Sequence, residues 1–316
     1  MTAASPTKPS SVRLIFNPAA KGGKARIFRK HLDEFASFCE LRATTGPGDA
    51  SRLAAQAVTD GCQTVIAAGG DGTIHETLNG IASVPGGLDQ TRLGVLPMGT
   101  INVFACELGI PPQWKDALKV LREGRERRID LPCADYSVNG NKERRYFVQL
   151  GGVGLDARAV ELVEWKLKTK IGPLAYIYAG LKALREKHGL IRIEPVVPES
   201  DASAQTSQPV FGEMALMGNG KFYGGKLPFF PKADLSDGVV DVCVFRRLSF
   251  AEMARVILGL VGRRPHAWSR AIHLQGREFT LASDQRVAFE LDGEFVGALP
   301  VRLTVLPQAL RVIVPG

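Results

Sequence analysis

Three short stretches carry residue types and spacings that could do chemistry. The first is Gly69-Gly70-Asp71-Gly72-Thr73, between an apolar run and a helix-like segment. Successive glycines let backbone N–H groups approach a phosphate without a Cβ in the way, and the N-terminus of the following helix adds partial positive charge. Asp71 would anchor the Mg²⁺ that accompanies a nucleoside triphosphate, directly or through water. The alternative is a tight turn with Asp71 as a helix cap. The second, Leu96-Pro97-Met98-Gly99-Thr100-Ile101-Asn102, repeats the device after the next apolar run. Thr100 could cap the helix or present its hydroxyl to a phosphate. The first loop, Asn17 to Lys24, adds Lys21 and Lys24 to the same edge. The third is Leu291-Asp292-Gly293-Glu294-Phe295. Asp-Gly between alternating runs predicts a hairpin turn, and Glu294 offers a carboxylate there. Transfer to an alcohol needs such a base within reach of the hydroxyl.

The elements that must position these residues follow from periodicity. Val12 to Asn17, Glu40 to Thr44, Thr64 to Ala68 and Leu93 to Leu96 read as buried strands. Between them, Ala25 to Phe38, Ala50 to Val58, a segment through Ala82 and one ending at Gly109 read as helices. Alternating strands and helices predict a mostly parallel sheet covered on both faces, with ligands at the carboxyl ends of its strands. Beyond Leu131-Pro132 the character changes. Arg145 to Leu150, Ile191 to Val197, Val210 to Met217, Val239 to Phe245, Glu278 to Ala282, Arg286 to Leu291, Val301 to Val305 and Leu310 to Val314 predict a β-rich second domain. A helical stretch, Ala157 to Lys187, and a polar loop, Pro198 to Pro209, interrupt it. The divisions are a tail at residues 1–11, an α/β domain over 12–131 with a strand from about 306–316, and a β-sandwich over 132–305.

Composition narrows the classes. The chain has 316 residues, 45% hydrophobic and 23% charged, which suits about two globular domains. Forty Lys plus Arg against 32 Asp plus Glu leave +8, an attraction to anions. No apolar run reaches the length of a membrane helix, and the N-terminal residues lack the apolar core of a secretory signal. Five scattered cysteines, never in CxxC spacing, argue for reduced thiols and a cytoplasmic protein. No interleaved basic and aromatic platform suggests nucleic acid. Lys166, Lys168, Lys170, Lys182, Arg185 and Lys187 surround the uncharged IGPLAYIYAGL, a face for an anionic membrane surface or a solvated helix. Arg122 to Arg128 reads as a solvated helix end. Gly151 to Ala157 (GGVGLDA) fits a dinucleotide fingerprint but lacks the acidic residue about twenty positions on.

The motifs NPAAKGGK, GGDGT, LPMGTIN, KADLSDGVVDV (Lys232 to Val242) and DGE occur together in this order. The chain thereby resembles the diacylglycerol kinase catalytic family, in particular its soluble bacterial lipid kinases, relatives of sphingosine kinases. The resemblance implies an α/β nucleotide-binding domain followed by a β-sandwich, an architecture like that of NAD kinases, with ATP and a lipid hydroxyl meeting in a cleft between them. It implies that Gly69, Gly70, Asp71, Gly72, Thr73 and Thr100 bind the ATP phosphates with Asn17 and Lys24 nearby. Either Thr44 or Thr45 matches a further nucleotide-contacting threonine. Glu294 matches the proton acceptor, with Asp292 beside it, and Asp237 with the carbonyls of Asp234 and Val239 matches a second Mg²⁺ site. The expected activity is Mg·ATP-dependent phosphorylation of a diacylglycerol-like or sphingoid lipid at a membrane surface, by a peripheral cytoplasmic enzyme, with a homodimer left open. A soluble NAD kinase-like enzyme and a non-catalytic sensor are the alternatives. The sensor is motivated by Val103, which stands where many relatives carry Asp.

Overall fold

A computed structural model describes residues 11–18, 23–162, 179–180, 182–196, 208–261 and 271–316. Two compact units emerge: one takes the chain to Ile129 together with Ala309–Gly316, the other takes Asp130–Gln308.

The first unit alternates strands and helices: β1 (Val12–Phe16), α1 (Gly23–Lys30), α2 (Leu32–Ala36), β2 (Glu40–Ala43), α3 (Asp49–Thr59), β3 (Thr64–Gly69), α4 (Asp71–Ala82), α5 (Gly87–Gln90), β4 (Arg92–Pro97), α6 (Val103–Glu107) and α7 (Trp114–Glu123). Its strands run parallel in the order β2-β1-β3-β4. β3 is buried along its whole length and β4 nearly so, because helices cover both faces of a parallel sheet. The register pairs Phe16 with Ala68 and Gly69 with Pro97, so the carboxyl ends of β1, β3 and β4 lie side by side. α3 and α4 approach closely at Gly80, where an added Cβ would strike the Ser51 carbonyl. Glu76 of α4 reaches back to accept N–H groups of Gly48 (2.9 Å) and Ala50 (3.2 Å), supplying the start of α3 with a partner its own side chains do not provide.

Local expectations change in four places. The helix foreseen over Ala25–Phe38 is two short helices, since His31 leaves helical geometry (φ −120°, ψ 22°) and stacks on Trp114 with ring centroids 4.4 Å apart. The helix foreseen after Thr100 shrinks to α6. A further helix, α7, follows Pro112, carried by the buried face Ala117, Leu118 and Leu121. Arg125–Arg128, read as a helix end, instead opens β5 (Arg125–Val138); there Glu126 takes a two-pronged ion pair from Arg311 at 2.8 and 2.7 Å.

The second unit continues with β6 (Asn141–Tyr146), β7 (Leu150–Gly154), α8 (Leu155–Leu162), β8 (Ile191–Pro195), β9 (Val210–Gly212), β10 (Met214–Gly218), β11 (Phe222–Tyr223), β12 (Leu227–Pro228), β13 (Val240–Phe245), α9 (Phe250–Val261), β14 (Ile272–Gly276), β15 (Glu278–Ala282), β16 (Ala288–Leu291), β17 (Glu294–Ala298) and β18 (Val301–Val314). The two strands foreseen at 301–305 and 310–314 are one. β18 pairs antiparallel with β15 through its first residues, and Val312 pairs parallel with Leu93 of β4. An antiparallel sheet in the order β14-β13-β10-β7-β16-β17 forms one wall of a sandwich. Alternation decides its faces. Ala215, Met217, Val240, Val242 and Val244 enter the core with Phe279, Phe289, Leu281 and Leu303, while Met214, Leu216, Cys243 and Phe245 turn to the opposite face against Leu155, Phe229 and Phe230. Both faces are covered, which is why these strands read as unbroken apolar runs. Of the helix foreseen over Ala157–Lys187, α8 supplies the beginning and residues 163–178 and 181 lie outside the described residues, as do residues 198–207 of the polar loop.

Candidate functional site

In the first unit the two glycine turns lie back to back. Gly69 ends β3, and its carbonyl accepts the N–H groups of Met98 (2.8 Å) and Gly99 (3.2 Å). A Cβ on Gly99 would sit 2.6 Å from the Gly70 Cα, and one on Gly69 would overlap the Thr73 side chain. Only glycine lets these chains meet. Asn102, in the left-handed region at φ 56°, bridges the second turn by accepting from Gly99 N–H (2.9 Å) and donating to the Gly99 carbonyl (2.7 Å). No side chain caps α4, whose first turn carries Asp71, Gly72 and Thr73. Its amides therefore have the geometry of an anion-binding helix start.

Asp71 is engaged with the second turn. Its carboxylate accepts the backbone N–H groups of Val103 (3.2 Å) and Phe104 (3.3 Å), joining the GGDGT helix to the start of α6. Position 103 thus lies directly at Asp71, and here it presents a buried valine. Asn17 follows β1, Thr44 and Thr45 follow β2, and Thr100 stands in the second turn. Thr44 is buried and its N–H donates to the Phe16 carbonyl at 2.8 Å. Thr45 is exposed, and both its N–H and its hydroxyl donate to Asp49 (2.8 and 3.0 Å). Those bonds, with Arg52, hold the Asp49 carboxyl below its ordinary range. Lys24 belongs to the first turn of α1. Lys21, Lys166, Lys168 and Lys170 lie outside the described residues.

In the second unit, Asp292 and Gly293 form the two-residue turn between β16 and β17, with φ 51° and 82°. Positive φ at both positions is what an Asp-Gly hairpin supplies. Asp292 faces inward: its carboxylate accepts N–H groups of Val148 (2.9 Å), Gln149 (2.9 Å) and Leu150 (3.1 Å). The next residue but one, Glu294, is exposed at the start of β17. The turn is therefore moored by one acid and presents another.

The KADLSDGVVDV turn holds Asp234 and Asp237 in local hydrogen bonds, to Ser236 N–H (2.9 Å) and Val239 N–H (3.2 Å). Asp130, absent from the sequence reading, anchors this turn. It is fully buried, and its carboxylate accepts Gly238 N–H (2.6 Å) and Gln308 N–H (2.8 Å). Burial raises the Asp237 carboxyl, and the charges of Asp130 and Asp234 raise it further. Among the described residues no three His, Cys, Asp or Glu side chains stand close enough to cage a metal.

A parallel α/β unit with paired glycine turns, followed by a β-sandwich with an acid-bearing hairpin, defines the class. Residues 11–134 match the diacylglycerol kinase catalytic domain, and residues 151–314 match the YegS C-terminal NAD kinase beta sandwich-like domain. The chain is 32% identical to a diacylglycerol kinase of Bacillus subtilis (strain 168) over 96% of each chain. It is 31% identical to a diacylglycerol kinase of Staphylococcus saprophyticus, over 96% of this chain and 95% of that one. A solved diacylglycerol kinase structure from Bacillus anthracis str. Sterne shares the fold with a TM-score of 0.66 at 19% identity, covering 98% of both chains. The chain belongs to the diacylglycerol kinase family, phosphotransferases that take an alcohol as acceptor.

Proposed function

We propose that this protein transfers the γ-phosphoryl group of Mg·ATP to a hydroxyl of a diacylglycerol-like or sphingoid lipid. The observation that carries the reading is the close approach of Gly70 and Gly99, which sets two backbone turns and the start of α4 at the carboxyl ends of the parallel strands. Phosphoryl transfer requires chiefly positioning and charge neutralisation. The N–H groups of Gly70, Gly72 and Thr73 orient the phosphates, with Thr100 and Lys24 alongside. Mg²⁺ bound with the nucleotide would neutralise charge on the phosphate oxygens, and Asp71, in the first turn of α4, would be its carboxylate partner. Glu294 accepts the hydroxyl proton; Asp292 keeps the backbone from which Glu294 projects in place. A second cation site at the Asp234–Val239 turn would use Asp237 with the carbonyls of Asp234 and Val239.

The lipid meets the enzyme at a membrane surface. No helix among the described residues is long and apolar enough to cross a membrane. The +8 charge favours attraction to anionic headgroups. The test is purified protein with Mg·ATP and a panel of diacylglycerols and sphingoid bases in mixed micelles. One lipid class should gain labelled phosphate, and Glu294→Gln should reduce kcat at least a hundredfold. Absence of any labelled lipid from the wild type overturns the reading.

A further inference from the structure

Behind the Asp292–Gly293 turn lies a buried acid cluster that the proposed chemistry does not use. Glu290, on β16, is 1% exposed. Its Oε2 accepts the Gly293 N–H at 2.7 Å. Its Oε1, buried with no other partner, and the Asp156 carboxyl, from the first turn of α8, which packs on β16 and β17, converge over Gly152, where a carboxyl–carboxyl hydrogen bond would join them. Two carboxyl groups form such a bond only when one carries a proton. The Tyr223 hydroxyl of β11 donates to the other side of Asp156 at 2.5 Å. Gly152 of β7 makes the room: a Cβ there would overlap the Asp156 carboxyl and stand 2.8 Å from Glu290 Oε1. Gly152 of GGVGLDA thus faces two carboxyl groups.

We infer that the Asp156–Glu290 pair, joined by one shared proton and tied to Tyr223, is a positioning element that fixes the Gly293 backbone and with it the point from which Glu294 projects. This rests on the reading of Glu294 as proton acceptor. The groups facing Glu290 are Asp156 from α8, the Asp292 carboxylate from the turn and, through Asp156, Tyr223 from β11. Burial raises both carboxyls, and the Asp156 charge raises Glu290 further. The pair therefore titrates as a unit. Loss of the shared proton leaves two buried anions against each other, and the mooring of Gly293 loosens.

The experiment compares Glu290→Gln, Glu290→Ala and Asp156→Asn in the full chain. Glu290→Gln keeps an acceptor for Gly293 and gains an amide donor for Asp156. In Asp156→Asn the new amide donates to Glu290 while its oxygen accepts from Tyr223. Both conservative variants should keep kcat within threefold of wild type near neutral pH and lose the alkaline fall in kcat expected of the wild type. Glu290→Ala should lower kcat at least twentyfold with the KM for ATP within twofold. Hydrogen exchange across residues 288–298 should accelerate at least tenfold in Glu290→Ala and stay near wild type in Glu290→Gln. Unchanged exchange in Glu290→Ala, a Glu290→Gln variant as impaired as Glu290→Ala, or an alkaline limb retained in Asp156→Asn overturns the inference. If Glu290→Ala does not fold, the Asp156→Asn pH profile decides. Should the wild type phosphorylate no lipid, the kinase reading falls and the exchange measurement alone judges the pair.

Discussion

Replacing Asp292 by Asn tests whether this acid moors the turn or takes part in chemistry. Its Oδ1 accepts Gln149 and Leu150 N–H and its Oδ2 accepts Val148 N–H, all between 2.9 and 3.1 Å. Asn tolerates the left-handed backbone at φ 51° as Asp does, so the substitution perturbs the hydrogen bonds and not the turn. With its oxygen on Gln149 and Leu150, its amide meets the Val148 N–H donor to donor. One bond to a charged acceptor, worth about 1.5–3 kcal/mol, is lost, and the other two fall toward the roughly 1 kcal/mol of neutral bonds. Partial access to water trims the sum to about 2–3 kcal/mol. For a unit of this size that lowers Tm by about 5–10 °C, measurable by calorimetry on the full chain. Glu294→Gln, at an exposed position, should leave Tm within about 1 °C while abolishing turnover. An Asp292→Asn protein that melts with the wild type would refute the mooring role.

Three further outcomes follow from the geometry. Gly99→Ala forces a Cβ to 2.6 Å from the Gly70 Cα; overpacking of this kind costs about 1–3 kcal/mol, and ATP binding by calorimetry should weaken at least tenfold. Glu76→Ala removes the acceptor for Gly48 and Ala50 N–H and should destabilise the protein by about 1–2 kcal/mol in urea titration. Burial and the Asp237 charge push the Asp241 carboxyl up to about 6. Since the unfolded chain releases that proton near pH 4, the group's stabilising contribution is complete below about 4 and is lost as pH rises through 6. The full shift would amount to about 3 kcal/mol, and with the side chain partly in solvent about 1 kcal/mol is expected. Asp241→Asn should therefore gain on the wild type between pH 4 and 8 by that amount, and an equal stability difference at both pH values would contradict it.

Much of the architecture was legible because its signals are local. Strand–glycine–helix order announces a parallel sheet, and Asp-Gly announces a hairpin, since each rests on what a few adjacent residues can adopt. Helix lengths were less legible: His31 breaks a periodic run only because Trp114 lies against it, and α7 depends on a buried face that the prolines before it obscured. The candidate site divides in the same way. Gly69 to Thr73, Thr100, Asp292 and Glu294 stand out by residue type, whereas Asp130 and Glu76 do not, because their partners lie 26 to 178 residues away.

The sequence by itself determined the class of fold, the two glycine turns and the acid-bearing hairpin, all consequences of short-range backbone freedom. Tertiary structure alone decided what the acids do. Asp71 binds the start of α6, Asp292 binds three amides across the sheet, and the carboxyls of Asp156 and Glu290 meet over Gly152. Such roles depend on which distant backbone donors, and which buried carboxyl, folding brings within hydrogen-bond distance.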